Sequence, residues 1–352
     1  MNLEQKVLIC FNEPSKYYDN YLGKNVTEEK ENVDLSEREF LKQILNIKKS
    51  LEKKYMSVET LPVNGDIKSA MKKILNFSPD LIFNFVESVE GNSNYESYVA
   101  GLFDLLGIPY TGNGPIALGN CLIKSRTKQI LQSHGIKTPK HMIAELGEIP
   151  KEKKFFLKFP VILKLAREDA SIGISEFSVV NNYAAMKERL EYLFANFRQE
   201  VLIEEYIEGR ELNVAILGDQ ILPISEIRFD GLPDDLPKIV TYEAKWSPES
   251  VYYQNTVPRC PAPIDEKLKL KIEKIARQAF EAMECRDYAR VDIRLNGKNV
   301  PYVIEVNPNP DISPDAGFVR SANTSGIAYD ELLFRISTFA LKRITYDTQA
   351  AG

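Results

Sequence analysis

The sequence predicts an α/β protein of two or three domains, and three observations support this. The chain has 352 residues, more than one globular domain usually contains. Apolar residues make up 44% and charged residues 27%, a composition typical of globular enzymes. Segments of strand pattern alternate with segments of helix pattern between Val7 and Leu106. This alternation favours a parallel sheet with right-handed crossover connections.

The N-terminal part of the chain predicts three successive pairs of strand and helix. Apolar, β-branched runs predict strands over 7–11, 58–63 and 81–86. Apolar residues at helical spacing predict helices over 40–51, 66–77 and 95–106. A polar, acidic insert over 14–34 separates the first strand from the first helix, and we predict that it lies on the surface.

The rest of the chain predicts a linking helix over 115–133 and two units of mixed α and β structure. The first unit contains strands over 159–166, 175–180 and 201–206 and a helix over 183–197. The second contains a strand over 212–217, an irregular proline-rich stretch up to residue 263, a helix over 265–283, two strands around Asn296-Gly297, and a final helix over 329–344. We therefore predict domains at 1–114, 115–210 and 211–352.

Composition and charge argue against several classes of function. The net charge of −5 offers no basic face for nucleic acid. No apolar run approaches the roughly 20 residues that span a bilayer, and the N-terminus lacks a signal-peptide pattern. The four scattered cysteines have neither zinc spacing nor a disulfide framework, which suits a reducing cytoplasm. Only two histidines occur, His134 and His141, which argues against a histidine metal site or a Ser-His-Asp triad.

Lys164 interrupts the apolar run VILKLA, which otherwise has the pattern of a central strand. Such a lysine either lies at the strand end with its ammonium in water, or binds an anion. The small-residue loop REDASIGIS follows, and the backbone N–H groups of Ser171 and Gly173 could approach a phosphate. The loop lacks the spacing of a P-loop or of a dinucleotide fingerprint, so alone it is a weak signal.

The segment VLIEEYIEGRELNVAILG places acidic residues near the ends of two predicted strands. One interpretation is a solvated acidic pair at Glu204 and Glu205. The other is a nucleotide site. There a carboxylate and the carbonyls of Glu205, Tyr206 and Ile207 could accept hydrogen bonds from an adenine amine, and Glu211 could accept from both ribose hydroxyls.

A carboxylate, Glu305, lies inside the apolar strand pattern YVIEVN. Strand alternation puts Glu305 and Asn307 on one face of their strand, and Arg290 and Asp292 on one face of theirs. Two buried carboxylates resist ionisation unless a cation lies between them, and oxygen ligands with an adjacent amide suit Mg²⁺. We therefore predict a magnesium site at Asp292, Glu305 and Asn307. The alternative is a salt bridge from Glu305 to Arg290 or Arg294.

The turn between these two strands decides whether the carboxylates meet. A two-residue turn at Asn296-Gly297 would separate Asp292 and Glu305 by about 13 Å. A wider loop centred on Lys298 and Asn299 would place them directly opposite each other. We predict the wider loop.

Taken in order, these motifs resemble the ATP-grasp ligases, and the D-alanine–D-alanine ligase branch is the most similar. The matching motifs are Lys124 in LIKSRTKQIL, Lys164 in VILKLA, the SIG loop, EEYIEGRE, YEAK, RVD and EVN. The resemblance covers nearly the whole chain. It implies an ATP-grasp fold, in which an N-terminal parallel α/β substrate domain precedes central and C-terminal α+β domains that sandwich ATP.

The resemblance also implies a role for each matched residue. The ATP phosphates would be contacted by Lys124, Lys164 and Lys245. The nucleoside would be contacted by Glu204, Glu205, Tyr206, Ile207 and Glu211. Two Mg²⁺ ions, for which Mn²⁺ could substitute, would be held by Asp292, Glu305 and Asn307. Arg290 would stabilise a tetrahedral intermediate, and the loop from Glu168 to Gly173, which contains Ser171, would fold over the γ-phosphate.

The reaction that the resemblance implies is ATP-dependent formation of an amide bond. A small-molecule carboxylate attacks the γ-phosphate to form an acyl phosphate, and an amine then displaces phosphate. This chemistry depends on positioning and charge stabilisation more than on a protein nucleophile. The resemblance further implies a cytoplasmic homodimer.

The departures from the family pattern lie in the loop over the γ-phosphate and on the substrate side. The N-terminal Gly-Gly and Ser-x-Glu signature is absent, and Val86-Glu87 stands where a histidine is expected. Ala170 and Trp246 replace a serine and a tyrosine beside the first substrate. Asp311 and Ala316 replace a glycine and a serine beside the second.

We therefore predict a carboxylate–amine ligase whose substrates are not two D-alanines. Asp311 and Asp315 suggest a cationic or amine-bearing acceptor, and Glu87 and Glu90 are further candidate contacts for a substrate amine. The alternative is that the two aspartates cap the turn into a helix. Genuine D-alanine–D-alanine ligase activity and a thiol or phosphate acceptor stay open. The metal residues and Arg290 argue against a nucleotide-binding protein without catalysis.

Overall fold

The computed structural model describes residues 3–14, 18, 20–25 and 35–350, with the side chains of 35–40 and 344–350 outside the description. The strands in these ranges form three separate sheets. No helix among the same residues combines the length and the apolar character that crossing a bilayer requires. All four cysteines are free thiols.

The first sheet is parallel and has the strand order β2-β1-β3. Its strands are β1 (Leu3–Asn12), β2 (Tyr55–Val63) and β3 (Leu81–Phe85), and the helices that alternate with them are α1 (Leu35–Leu51), α2 (Ile67–Phe77) and α3 (Tyr95–Leu105). Val7 and Ile9 on one face of β1, and Leu8 and Cys10 on the other, are all buried. Both faces are covered, which explains why β1 from Val7 to Phe11 and most of β3 are apolar.

The insert that follows β1 differs from the predicted surface segment over 14–34. Tyr18 and Tyr21 are only 8% and 4% exposed. Both rings pack in the core of the second sheet. Of the remaining insert, residues 15–17, 19 and 26–34 lie outside the described part of the chain.

The predicted helix over 115–133 is two helices, α4 (Pro115–Leu122) and α5 (Lys124–Ser133). The break occurs at Ile123, whose backbone is extended (φ −85°, ψ 95°). The Lys124 N–H then donates to the carbonyl of Ala166. The break therefore anchors Lys124 at the first residue of α5, next to the end of a strand in the second sheet.

The second sheet is antiparallel with the order β4-β7-β5-β6. Its strands are β4 (His141–Ala144), β5 (Val161–Leu165), β6 (Val179–Val180) and β7 (Val201–Glu205), and it is covered by α6 (Tyr183–Phe197); a 3₁₀ turn precedes β5 at Glu152–Lys154. The predicted strand over 175–180 is wrong in its first half, where residues Glu176–Ser178 form a 3₁₀ turn. Ser175 causes this, because its hydroxyl accepts from the Phe177 N–H while the Ser178 hydroxyl accepts from the Ser175 N–H.

The third sheet has the order β11-β10-β8-β12-β13, with β9 beside β8, and every pair is antiparallel. Its strands are β8 (Gly209–Leu217), β9 (Gln220–Ile221), β10 (Ser225–Arg228), β11 (Val257–Arg259), β12 (Tyr288–Asn296) and β13 (Pro301–Asn307). Helix α9 (Glu266–Ala282) buries its apolar side against the sheet. The predicted irregular stretch before residue 263 contains two short helices, α7 (Tyr242–Trp246) and α8 (Val251–Asn255).

The chain ends in α10 (Gly317–Thr324) and α11 (Tyr329–Ala350). Phe318 of α10 and Leu332 and Ile336 of α11 share a buried core with Val7 and Ile9 of the first sheet. The C-terminal helices thus complete the N-terminal core. The domain boundaries at 114/115 and 210/211 remain a proposal.

Candidate functional site

One cleft of about 1440 Å³ is bordered by the second and third sheets and by the carboxyl ends of β1 and β3. Most of the residues that the sequence marks for the site line it: Lys124, Lys164, Ser171, Glu204, Glu205, Tyr206, Ile207, Glu211, Lys245, Arg290, Asp292, Glu305, Asn307, Glu87, Asp311 and Asp315. Glu90, a further candidate amine contact, lies instead against Gly65, outside this lining. The cleft exceeds the roughly 300–1,000 Å³ of an ordinary small-molecule site, so it has room for more than one substrate.

Asp292 lies directly opposite Glu305 in the β12–β13 hairpin, as predicted, but the hairpin differs in detail. The loop has three residues, Gly297 to Asn299, because Asn296 bonds across to Val300 and Asn299 adopts a positive φ of 55°. Leu295 then pairs with Pro301 and Ile293 with Val303. That register alone would put Asp292 opposite Ile304. A one-residue bulge at Ile304 shifts the pairing and restores Glu305 to the face of Asp292.

The Asp292 carboxylate is 6% exposed and is held by two neighbours on the same sheet. The Arg290 guanidinium donates to both of its oxygens, at 2.8 and 2.9 Å. The Asn213 amide of β8 donates to Oδ1 at 2.7 Å. The predicted alternative, a salt bridge from Glu305 to Arg290 or Arg294, is wrong, because Glu305 pairs with Lys124 at 3.7 Å.

The residues present fit a magnesium site that a ligand completes. No group of three or more His, Cys, Asp or Glu within the described ranges could hold a metal ion on its own. Two opposed carboxylates and the Asn307 amide nevertheless offer oxygen donors at the cleft wall. Mg²⁺ typically takes one or two carboxylates from the protein and its other ligands from phosphates and water. Burial alone would raise the pKa of Glu305, but the ammonium groups of Lys124 and Lys164 outweigh it and lower that pKa, which favours the ionised form a metal requires.

Glu204, the predicted adenine contact, is 1% exposed and lies between two lysines. Lys128 and Lys164 each approach one of its oxygens to 2.6 Å. Burial would raise the pKa of Glu204, but the two ammonium groups lower it to about 2. Lys164 therefore joins β5 to β7 through Glu204, and its ammonium lies beside the cleft.

Arg294 organises the predicted ribose end of the site. Its guanidinium donates to Glu211 at 2.9 Å and to the carbonyls of Ile207, Gly209 and Lys238 at 2.7, 3.1 and 3.0 Å. Burial raises the pKa of Glu211, and the charge of Arg294 opposes that rise. One arginine thus fixes the chain from 207 to 211 and its carboxylate in a single arrangement.

The Tyr206 ring lies 4.8 Å from the Arg294 guanidinium, and its hydroxyl donates to the Lys238 carbonyl. The Glu205 carboxylate accepts from the Lys158 N–H at 3.1 Å. These contacts fix the strand end that the sequence assigns to the adenine.

The phosphate loop, residues 168–173, has a left-handed backbone at Ala170 and Ser171 (φ 52° and 62°). The Lys124 ammonium donates to the Glu168 carbonyl. The Trp246 indole N–H donates to the Ala170 carbonyl at 3.4 Å. The Gly173 N–H donates to the Tyr21 carbonyl at 2.9 Å, so in this conformation it is directed at protein and not, as the sequence suggests, at a phosphate.

The end of the cleft near Asn309 is acidic. Glu96 is 7% exposed, and Asn309 donates to its carboxylate at 3.3 Å. Burial, reinforced by the negative charges of Glu87 and Asp169, raises the pKa of Glu96 well above its ordinary value. The Ser313 N–H donates to the Asp311 carboxylate at 2.8 Å, which is the turn-capping role that the sequence offers as the alternative for this aspartate.

Sequence reasoning missed several site residues. Lys128 follows Lys124 by one helical turn on α5, and Asn213 follows Glu211 by two residues on β8, so periodicity could have identified both. The sequence indicates Arg294 only as an alternative partner of Glu305. No local signal marks Glu96, because its place beside Asn309 depends on the packing of α3 against distant chain.

Three comparisons with known proteins agree with this geometry. The family profile described as D-ala D-ala ligase C-terminus matches residues 130–338, more than half of the chain. A D-alanine–D-alanine ligase of Nitrosospira multiformis is 33% identical over 71% of this chain and 76% of its own length. The D-alanine–D-alanine ligase of Carboxydothermus hydrogenoformans is 31% identical over 84% of this chain and 91% of its own length. A Sinorhizobium fredii protein named "Uncharacterized protein y4sG" is 33% identical over 81% of this chain and 84% of its own length.

Among solved structures, a Bacillus anthracis D-alanine–D-alanine ligase complexed with ATP superposes with a TM-score of 0.70. The two chains are 24% identical, and the match covers 97% of this chain and 99% of that one. At this identity the likeness establishes the fold. The predicted ATP-grasp architecture is therefore confirmed.

Proposed function

The chain belongs to the D-alanine–D-alanine ligase family of ATP-dependent C–N ligases, and from this premise we propose that it joins a carboxylate to an amine in a pair other than two D-alanines. The single observation that carries the substrate proposal is the contact between Trp246 and Ala170. These residues stand where the resemblance implies a tyrosine and a serine beside the first substrate. Neither side chain carries a hydroxyl, and the indole N–H donates to the Ala170 carbonyl, so the two hydroxyls that the resemblance implies beside the substrate are replaced by an internal contact.

The acidic end of the cleft supports the same proposal. Glu87, Glu96, Asp311 and Asp315 all line it. Clustered carboxylates around a substrate site favour a ligand with one or more ammonium groups, because like charges held together need a cation. We therefore propose that at least one substrate carries an amine beyond the one that reacts.

The nucleotide side supports ATP as the phosphoryl donor. Lys124 and Lys164 place ammonium groups beside the metal carboxylate Glu305, where they would bind the phosphate chain. Glu204 and Glu211 are each held by an ion pair, and in the proposed function they would contact the base and the ribose. Arg290, anchored by Asp292, lies where it would stabilise the charge of the intermediate.

Asp292, Glu305 and Asn307 would hold the magnesium that accompanies ATP, and two ions remain a proposal. Bound there, Mg²⁺ neutralises the phosphate charge that develops during transfer. The Arg290 guanidinium donates to both oxygens of Asp292, and these hydrogen bonds orient the carboxylate on the sheet. Mn²⁺ has the same preference for oxygen donors.

Genuine D-alanine–D-alanine ligase activity is the second candidate, and the similarity to D-alanine–D-alanine ligases of other bacteria favours it. The test is Mg²⁺-dependent ADP release, first with D-alanine alone and then with a pool of amino acids and amines. We expect turnover only with the pool, and none from a Glu305→Gln variant. Comparable turnover with D-alanine alone would overturn the substrate proposal. ADP release that does not depend on Mg²⁺ would overturn the metal assignment.

The homodimer that the resemblance implies also remains a proposal. Tyr98 and Leu105 lie two turns apart on one face of α3 and are 67% and 88% exposed. Apolar side chains exposed on one helix face suit a contact with a second copy of the chain. Sedimentation equilibrium would report a dimer, and Leu105→Glu would convert it to a monomer.

A further inference from the structure

Tyr18 and residues 20–25, hereafter the clasp, contact two elements of the proposed ATP site at once. The clasp belongs to the insert between β1 and α1, far in sequence from the second sheet. Its described contacts nevertheless include the phosphate loop and α7, the helix that carries Lys245, as well as α6 and residues next to the loop. Nothing in the proposed reaction assigns this segment a role.

The clasp is bonded to both ends of the phosphate loop. The Tyr18 hydroxyl donates to the Glu168 carboxylate at 2.6 Å, and Gln199 donates to both groups, at 2.7 and 2.9 Å. At the other end, the Gly173 N–H donates to the Tyr21 carbonyl at 2.9 Å. The loop is thus fastened at Glu168 and at Gly173, with Ala170 and Ser171 between these points.

A buried arginine ties the same two backbones together. Arg189 of α6 is 5% exposed and donates to the Gly23 carbonyl at 2.5 Å and to the Gly173 carbonyl at 2.7 Å. The Ser175 hydroxyl also donates to the Gly23 carbonyl, at 3.0 Å. Hydrogen bonds from a charged donor are among the stronger ones in proteins, so this junction is well fixed.

On α7 the clasp makes one ring contact and one ion pair. The Tyr21 ring stacks on Tyr242 with centroids 6.1 Å apart and an interplanar angle of 22°. The Lys24 ammonium lies 2.7 Å from Glu243 on α7 and 3.2 Å from Glu176, just beyond the phosphate loop. Lys24 therefore bridges α7 and the 3₁₀ turn that directly follows the phosphate loop.

Gly23 allows the close approach. Its φ is +72°, and a Cβ at this position would lie 2.3 Å from the Gly173 carbonyl oxygen. Backbone meets backbone here, so no side chain can move aside. Any residue with a Cβ would push the clasp off the loop.

We propose that the clasp is a positioning device that holds the phosphate loop and α7 together over the triphosphate of ATP. Tyr18 and Lys24 are then positioning residues for phosphoryl transfer. They act through Glu168 and Glu243, although Tyr18 also lines the cleft. The proposal rests on the proposed function, since it needs ATP to lie beneath the loop and Lys245. Because the clasp is bonded to both elements, the phosphate loop and α7 would move together. Ser171 and Lys245 would then reach the phosphates at the same time.

The test compares Gly23→Ala with Gly147→Ala in the full chain. Gly147 has a similar φ of +80° but nothing within 4 Å of an added Cβ, so it controls for backbone strain alone. Amide hydrogen exchange would be measured on peptides covering 168–173 and 242–246. We expect Gly23→Ala to raise exchange in both peptides and to lower kcat/KM for ATP by about tenfold or more, because small misplacements of reacting groups are costly. Gly147→Ala should change neither.

Two results would overturn the proposal. Exchange in Gly23→Ala that matches Gly147→Ala would show that the clasp does not hold the loop. Raised exchange with unchanged kcat/KM for ATP would show that the clasp is structural only. The exchange measurement needs no activity, so a wild type that releases no ADP would contradict the proposed function while exchange still decides on the clasp.

A second pair of variants removes one contact without straining the backbone. Lys24→Met deletes the ammonium that joins Glu176 to Glu243, and Lys24→Arg keeps a cation there. We expect raised exchange over 242–246 and a higher KM for ATP in Lys24→Met, with Lys24→Arg close to wild type. Equal exchange in the two variants would contradict the bridging role of Lys24.

Discussion

Asp292 on β12 lies directly opposite Glu305 on β13, and the pairing depends on a bulge at Ile304. Without that extra residue the three-residue loop would turn Glu305 to the opposite face of the sheet. On the other side of β12, Asn213 of β8 lies directly opposite Asp292. Three neighbouring strands thus bring an amide and two carboxylates into line at the wall of the cleft.

Glu305→Gln should abolish metal-dependent turnover with little loss of folding. The amide retains the shape of the side chain but removes the charge that a cation needs. Loss of an outer-shell partner alone costs about 10- to 100-fold in metal affinity or activity, so a direct ligand should cost at least about 100-fold. Calorimetric titration of Mg²⁺ in the presence of a nucleotide would measure the loss of metal affinity. Glu226→Gln, on β10 and paired with Arg210, is the matched control and should bind Mg²⁺ normally.

Arg294→Lys should weaken nucleotide binding. A lysine cannot reproduce the planar set of donors by which the Arg294 guanidinium bonds to Glu211 and to three backbone carbonyls. The part of the site assigned to the ribose would therefore lose its fixed geometry. Hydrogen bonds that involve a charged group contribute about 1.5–3 kcal/mol, which corresponds to roughly a 10- to 100-fold rise in the Kd for ATP. The control is Arg210→Lys, which changes an arginine–glutamate fork on the same sheet. Equal ATP affinity in the two variants would contradict the role of Arg294.

Glu204 should make folding stability sensitive to acid. Its folded pKa of about 2 lies below the ordinary 4.5, so the carboxylate stabilises the fold above pH 4.5, and this contribution disappears as the pH falls from 4.5 toward 2. The contribution is roughly 3 kcal/mol. Denaturant unfolding of wild type and Glu204→Gln at several pH values would test this. The difference in unfolding free energy should be largest near pH 7 and shrink below pH 4.5. A difference that stays constant down to pH 3 would contradict the assignment.

Asp311→Asn should separate charge from turn formation at the substrate end. An asparagine keeps an oxygen for the Ser313 N–H and removes the negative charge. If the charge binds an amine-bearing acceptor, the acceptor KM should rise by about three- to tenfold while kcat holds. Asp315→Asn should behave similarly. Asp265→Asn, at the N-cap of α9, removes an equal charge away from the cleft. Unchanged acceptor KM in both test variants would mean that the aspartates serve only the turn.

Local pattern was sufficient for much of the fold and for most of the candidate site. Strand alternation predicted that Glu305 and Asn307 share a face, and motif order placed Lys124 and Lys164 beside the same cleft. The first property follows from periodicity along a single strand, and the second follows from the resemblance to the family. The Ile304 bulge could not be predicted, because it arises from the pairing of β12 with β13 and leaves no mark in composition.

Two other features that the sequence did not predict depend on long-range contact. Ile123 is apolar and helix-compatible, yet α4 and α5 break there, where the Lys124 N–H bonds to Ala166 of the second sheet. Tyr18 and Tyr21 lie in a polar insert that suggests a surface loop, yet both are buried against distant chain. Tertiary packing overrides local preference at such positions.

The most direct test of the account is the fate of ¹⁸O from a labelled carboxylate pool. The chain would be incubated with ATP, Mg²⁺ and a pool of ¹⁸O-carboxyl amino acids that includes D-alanine, together with amines, and products would be resolved by mass spectrometry. The account predicts one ¹⁸O atom in the released phosphate, as an acyl phosphate requires, and an amide product other than D-alanyl-D-alanine. Phosphate without ¹⁸O, or D-alanyl-D-alanine as the main product, would contradict it.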